Sequence, residues 1–99
     1  MEKPHRSHDE ATAAMFRADP ALAADYLNDV LASGDEVDLM LALRSLSAAF
    51  GGVQEIARVA EANPNTMYRT LSEHGNPSIR TLRAILAAMG LRLAVQPLG

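Results

Sequence analysis

Apolar side chains recur three and four residues apart along most of this chain, so the pattern predicts helices almost throughout. The stretch from Val53 to Ser72 organises the rest. Val53, Ile56, Ala57 and Ala60 share one face of a first short helix. Asn63 is a favoured N-cap for a second, and Pro64 follows at the first helical position, where its missing N–H costs nothing. Met67 and Leu71, four apart, point that second helix inward. Asn65, Thr66, Tyr68, Arg69 and Ser72 remain on or beside its outward face.

The same period continues on either side. Ser7 and Glu10 form a capping-box pattern and predict a helix to about Ala18, with Ala11, Ala14 and Met15 or Phe16 on its apolar side. Asp19-Pro20 starts another, with Leu22, Tyr26, Leu27, Val30 and Leu31 as the predicted buried face and Ser33-Gly34 as its end. Asp35 caps a third that runs to about Phe50. Leu39, Leu43, Leu46 and Phe50 form one row and Val37, Met40 and Leu41 widen it, which predicts a central strut of the core. Gly51-Gly52 terminates it. After the central pair, Glu73-His74-Gly75-Asn76-Pro77 reads as a turn. A last helix, about Ser78 to Met89, is predicted to bury Ile79, Leu82, Ile85, Leu86 and Met89 and to leave Arg80 and Arg83 outside, with Gly90 as its stop.

Beyond Gly90 the period changes. Leu91, Leu93 and Val95 are two apart, which is strand spacing, over residues 91–96. A lone strand leaves its backbone groups unpaired. The expected partner is a second copy, giving a homodimer with Leu91, Leu93 and Val95 at its contact, or a strand of a different protein. The predicted fold is all-α: five or six short helices in a single domain over 1–99, with one C-terminal β-strand paired across a homodimer. Its parts are an N-terminal arm or helix (1–18), an acidic helical part (19–50), the central helical core (53–90) and the strand (91–96).

Charge changes the picture most. The net charge of −3 divides unevenly. Residues 1–50 hold four basic against nine acidic side chains, whereas residues 51–99 hold five against three. The central pair therefore sits in a basic half, and two surfaces with different partners are expected; for any single acid an ordinary solvated face is the better explanation. Apolar content is 48% of 99 residues, sufficient for a folded core. Without cysteine, disulfides and thiolate zinc sites are excluded, which fits a reducing cytosol. No apolar run reaches signal-peptide or membrane-span length, so a cytoplasmic location and no membrane partner are expected.

Candidate chemistry is scarce outside the central pair. His5 and His8 are three apart with no third ligand grouped beside them, and Asp25 and Asp29 lack a base or nucleophile, so no metal, no cofactor and no enzyme activity are expected. The second helix of the pair exposes an amide, a hydroxyl, a phenol and a guanidinium, the groups that read base edges in a DNA major groove. Arg69 suits a guanine edge, and Asn65 an adenine or a water-bridged base. Gln54, at the start of the first helix, suits phosphate. Ala57 occupies the place where the two helices of a helix-turn-helix come closest. The turn position four residues later, often glycine, holds Glu61, and a positive φ there would cost about 1 kcal/mol. The same spacing also fits a helical hairpin used only for packing.

From about Asp19 to Val95 the chain resembles the addiction-module antidote proteins, the HigA-like antitoxins with an Xre-type helix-turn-helix. The resemblance rests on Asp25-Tyr26-Leu27-Asn28, on Thr66-Met67-Tyr68-Arg69-Thr70-Leu71-Ser72 closely followed by Gly75-Asn76-Pro77, and on Leu82 through Leu93 with Met89-Gly90-Leu91-Arg92-Leu93. It implies a small antitoxin that silences a RelE-like toxin, typically a basic ribonuclease encoded beside it, and that represses its own operon as a dimer on double-stranded operator DNA. The family's DNA-reading positions fall on Asn63, Asn65, Thr66, Tyr68 and Arg69, with Gln54, Ser72, Asn76 and Arg80 as phosphate contacts. Glu61 departs from the pattern at the turn.

Two further readings compete with the DNA-binding one or extend it. In the first, the chain is an inhibitory module whose N-terminal acids, among them Asp19, Asp25, Asp29, Asp35, Glu36 and Asp38, cover a basic partner. In the second, it is a phage-type repressor without a toxin.

Overall fold

The computed structural model describes residues 13–99. The expected capping box at Ser7 and Glu10, the apolar Ala11, and His5 and His8 lie outside the described residues. Within them the chain forms helices α1 (13–18), α2 (Pro20–Ser33), α3 (Glu36–Ala49), α4 (Val53–Val59), α5 (Pro64–Thr70) and α6 (Ile79–Ala88), with no strand among the described residues. The all-α expectation holds.

Each helix start follows a local rule. The Asp19 carboxylate accepts from the Ala21 N–H at 3.1 Å, and Pro20 is the first residue of α2. Asp35 and Asp38 form a reciprocal box: Asp38 N–H donates to Asp35 Oδ1 at 2.9 Å and Asp35 N–H to Asp38 Oδ2 at 3.1 Å. Asn63 Oδ1 accepts from the N–H groups of Asn65 and Thr66 at 2.8 and 3.2 Å, with Pro64 at the first position of α5. Ser78 Oγ accepts from Thr81 N–H at 3.1 Å.

Three helix ends share one device, in which a left-handed residue lets the following N–H reach back five residues to a carbonyl of the last turn. At α6, Gly90 (φ +78°) donates to Ala87 O and Leu91 to Leu86 O. At α3, Gly51 (φ +101°) leads Gly52 N–H to Ser47 O at 2.7 Å. At α4 the left-handed residue is Glu61, φ +58°, with Glu61 N–H on Arg58 O at 3.2 Å and Ala62 N–H on Ala57 O at 2.8 Å. The strain expected of a glutamate at this turn is therefore present.

One buried cluster joins α2 to α6: Ala23 and Leu27; Met40, Leu43 and Leu46; Val53, Ile56 and Ala57; Met67 and Leu71; Ile85, Leu86 and Met89. Helix α3 packs against both α2 and α4, and α4 packs against α5 and α6. Ser47, the buried polar residue in α3, donates its hydroxyl to Leu43 O at 2.8 Å, so it leaves no orphaned group. Phe16 of α1 packs on the cluster with its ring 5.4 Å from that of Tyr26, and Arg17 Nη1 donates to Ala49 O at the end of α3 at 3.1 Å.

Several predicted core positions are corrected. On α2 the buried stripe turns toward Ala23, Leu27 and half-buried Leu22 and Val30, leaving Tyr26 and Leu31 exposed. Met40, Ala42, Leu43 and Leu46 of α3 fill the interior, Leu39 and Phe50 are half-buried, and Val37 and Leu41 face solvent. Ala14 and Met15 are exposed while Phe16 packs inward, and Ile79 at the start of α6 is 66% exposed. Apolar stripes this wide exceed what one neighbouring helix can cover, and packing selects which part is buried. The C-terminal strand over 91–96 is also absent. Leu91 belongs instead to the closing turn of α6 and packs on the core, so the apparent two-residue period begins on a helix-ending residue. Leu93 is exposed, Val95 is 98% exposed, and the single chain offers neither a ladder partner.

Gly75 is demanded by space: a Cβ there would run into the Thr70 carbonyl. Two outcomes follow for denaturant unfolding. Glu61→Gly should stabilise by about 0.5 kcal/mol, because relief of the left-handed conformation exceeds the chain entropy glycine adds to the unfolded state, whereas Glu61→Val should destabilise by about 1 kcal/mol. Gly75→Ala should destabilise by more than about 2 kcal/mol, since the obstacle is backbone.

Candidate nucleic-acid interface

Helices α4 and α5 are joined by residues 60–63, and their packing decides what α5 displays. Met67 is 1% exposed and Leu71 0%, both in the shared core. With those two side chains held, the remaining turns of α5 look outward: Asn63, Asn65, Thr66 and Arg69 are exposed, and Tyr68 is 39% exposed. The positions singled out from spacing thus come together on one short helix.

Their roles are not equal. The Asn63 carbonyl oxygen is occupied by two backbone N–H groups, which makes this residue first a cap and leaves only its NH2 free. Ser72 is half-buried and its hydroxyl donates to Arg69 O at 2.6 Å, holding the end of α5. Asn65, Thr66 and Arg69 carry no side-chain hydrogen bond among the described residues. Gln54 is exposed in the first turn of α4, whose N-cap Gly52 supplies no side-chain bond, so the leading N–H groups of that helix stay available. Asn76 is exposed after α5. Arg80 is exposed on α6 and lines a groove with Arg83 and Arg92, built from α6 and residues 91–93 without any α5 side chain.

Arg44 escaped the sequence reading. From α3 it sets its guanidinium 5.3 Å from the centre of the Tyr68 ring, within cation–π range. It adds a positive charge beside α5 and restrains the phenol. The two residues are far apart in the chain and Arg44 has no patterned neighbours, so no local signal marks the pairing.

The electrostatics of this half are selective. Arg58 donates to Glu55, its Nε to Oε1 at 2.9 Å, and this bond holds the Glu55 carboxyl below its ordinary range and raises the Arg58 guanidinium. Its charge is thereby largely answered within α4. Arg69, Arg80, Arg83 and Arg92 have no carboxylate partner among the described residues, where the basic side chains facing a carboxylate are Arg58, on Glu55, and His74, beside Glu73. Among the described residues no group of three His, Asp or Glu side chains could hold a metal, and no helix is long and apolar enough to cross a membrane.

The model of a protein family described as probable addiction module antidote protein matches residues 9–97. The chain belongs to this antidote family. An uncharacterized protein of Haemophilus influenzae (strain ATCC 51907 / DSM 11121 / KW20 / Rd) is 32% identical over 71 residues, 72% of each chain. No solved structure matches. Family membership agrees with the antidote resemblance read from the sequence, at the coarser level of the addiction module antidote.

The Arg44–Tyr68 contact is measurable without any ligand. A double-mutant cycle of Arg44→Ala and Tyr68→Ala in urea unfolding should return a coupling of about 0.5–1 kcal/mol, as for a largely exposed cation–π pair. Strict additivity would remove the contact from the solution structure.

Proposed function

We propose that this chain is the antitoxin of a type II toxin–antitoxin module. In this reading it binds double-stranded operator DNA through α4 and α5 acting as a helix-turn-helix of the Xre type. It represses its own operon as a homodimer, and it neutralises a RelE-like toxin in the cytoplasm. It acts by binding and not as an enzyme. Membership of the antidote family supports the antitoxin role. The observation that carries the DNA-binding part is the two-sidedness of α5, with Met67 and Leu71 locked in the core and Asn65, Thr66, Tyr68 and Arg69 open to solvent.

The roles follow from side-chain chemistry. Arg69 donates two parallel bonds to a guanine edge and Asn65 pairs with adenine or a bridging water. Thr66 and Tyr68 contact neighbouring base or sugar edges. Gln54 and the open N–H groups of α4 hold a backbone phosphate, with Asn63, Ser72, Asn76 and Arg80 as further backbone contacts. Arg44, fixed against Tyr68, adds a cation at the same helix. Two recognition helices in a dimer match a two-fold operator. Leu93 and Val95, exposed in the single chain, are available for a contact between copies. Of the acids assigned to the toxin, Asp25, Asp29, Asp35 and Glu36 are all exposed.

The test is an anisotropy titration on the DNA upstream of the chain's own coding sequence. Arg69→Ala should lose about 1–3 kcal/mol of binding and relax preference at one base pair, while an exposed substitution on α2 such as Asn28→Ala should change nothing. Equal affinity of Arg69→Ala and the parent chain would remove Arg69 from the interface.

A further inference from the structure

Residues 18–43 hold six carboxylates and not one Lys, Arg or His. Into this acidic stretch α2 and α3 release large apolar side chains: Leu31 is 56% exposed and Leu41 47%. They are not scattered. Two shallow depressions adjoin at the α2–α3 junction, sharing Val30 and Gly34. Tyr26, Leu41 and Asp38 line one; Leu31, Asp35 and Glu36 line the other. A Cβ on Gly34 would come within 2.9 Å of Asp38 side-chain atoms and the Val30 carbonyl, so glycine keeps the saddle between them low. Asp35 and Asp38 are held rigid by their mutual cap, each with a second oxygen that the cap leaves free. None of the three acids forms an ion pair among the described residues. Asp25 and Asp29 line neither depression.

We propose that this junction is the docking face for a protein partner that presents an apolar side chain ringed by lysine and arginine. The inference rests on the antitoxin reading above and names the part of the chain the partner meets. Apolar contacts ringed by charge are the arrangement in which a few central residues carry the affinity and the rim directs encounter. DNA is excluded as occupant by the uncompensated carboxylates. A second copy is disfavoured because a two-fold contact would set identical acidic rims against each other. Leu31 and Leu41 are the anchor contacts, Glu36 the steering charge, and Asp35 and Asp38 the fixed acceptors.

The test uses the full chain and the purified product of the reading frame adjacent to its own, titrated calorimetrically. Leu31→Glu and Leu41→Glu should each weaken binding by about tenfold or more with the helical signal and melting temperature unchanged, and Glu36→Lys by about threefold or more with a slower association rate and a slightly lower melting temperature, because it puts a cation at the positive start of α3. Should either glutamate substitution lower the melting temperature, the association rate of Glu36→Lys, an exposed position, decides. If the parent chain binds and these variants bind equally well, the docking face is wrong while the antitoxin reading stands. If the parent chain does not bind, both fall together. If the chain alone is a dimer that Leu31→Glu makes monomeric, the face is a self-contact and the proposal is overturned.

Discussion

The burial of Met67 and Leu71 beside Ile56, Ala57 and Ile85 is the contact on which the rest of the molecule depends. Helix α5 has only seven residues, too few to be stable by itself. Its cap and proline set where it begins, and the two buried side chains set its rotation about its own axis. Once that rotation is set, every other side chain of α5 has its direction. An amide, a hydroxyl, a phenol and a guanidinium then face the solvent because there is no other side for them to occupy.

Helix ends do comparable work at lower visibility. The turns after α3, α4 and α6 use one hydrogen-bonding device, with a glycine in two of them and Glu61 in the third. The glycines meet the left-handed requirement without a steric penalty, and the glutamate meets it with strain. That strain lies in the link between α4 and α5, the place where the geometry of the pair is set. The turn is held by its two carbonyl contacts and by Ala62 packing on the core, which is enough to hold a residue that would not choose this conformation alone.

Charge and exposed apolar surface are distributed in a way that separates two tasks. Around α5 the arginines lack carboxylate partners among the described residues, apart from Arg58, which Glu55 answers. Around the α2–α3 junction the carboxylates lack cationic partners among the described residues, and leucines stand among them. A phosphate backbone and a basic protein would each be attracted to one of these surfaces and repelled by the other. A small antitoxin of the proposed kind needs that separation if one partner is to be held without displacing the other.

What the chain determined by itself was local. Asp19-Pro20, Asp35 with Asp38, Asn63-Pro64, Ser78, Gly51 and Gly90 act through bonds to groups at most five residues away, so helix number, starts and stops were legible, and with them the inward Met67 and Leu71 and the outward Asn65 and Arg69. Even the positive φ at Glu61 could be read from its place in the turn. Tertiary structure alone decided which part of a wide apolar stripe is covered, so Leu31, Leu41 and Ile79 came out into solvent where period alone placed them inside. It also brought Arg44 to Tyr68 across two helices, and it took Leu91 into the closing turn of α6, leaving no strand over residues 91–96. The physical reason is common to all three. A cap or a turn is satisfied by neighbours in sequence, whereas burial, stacking and strand pairing are satisfied only by whatever the rest of the fold brings alongside.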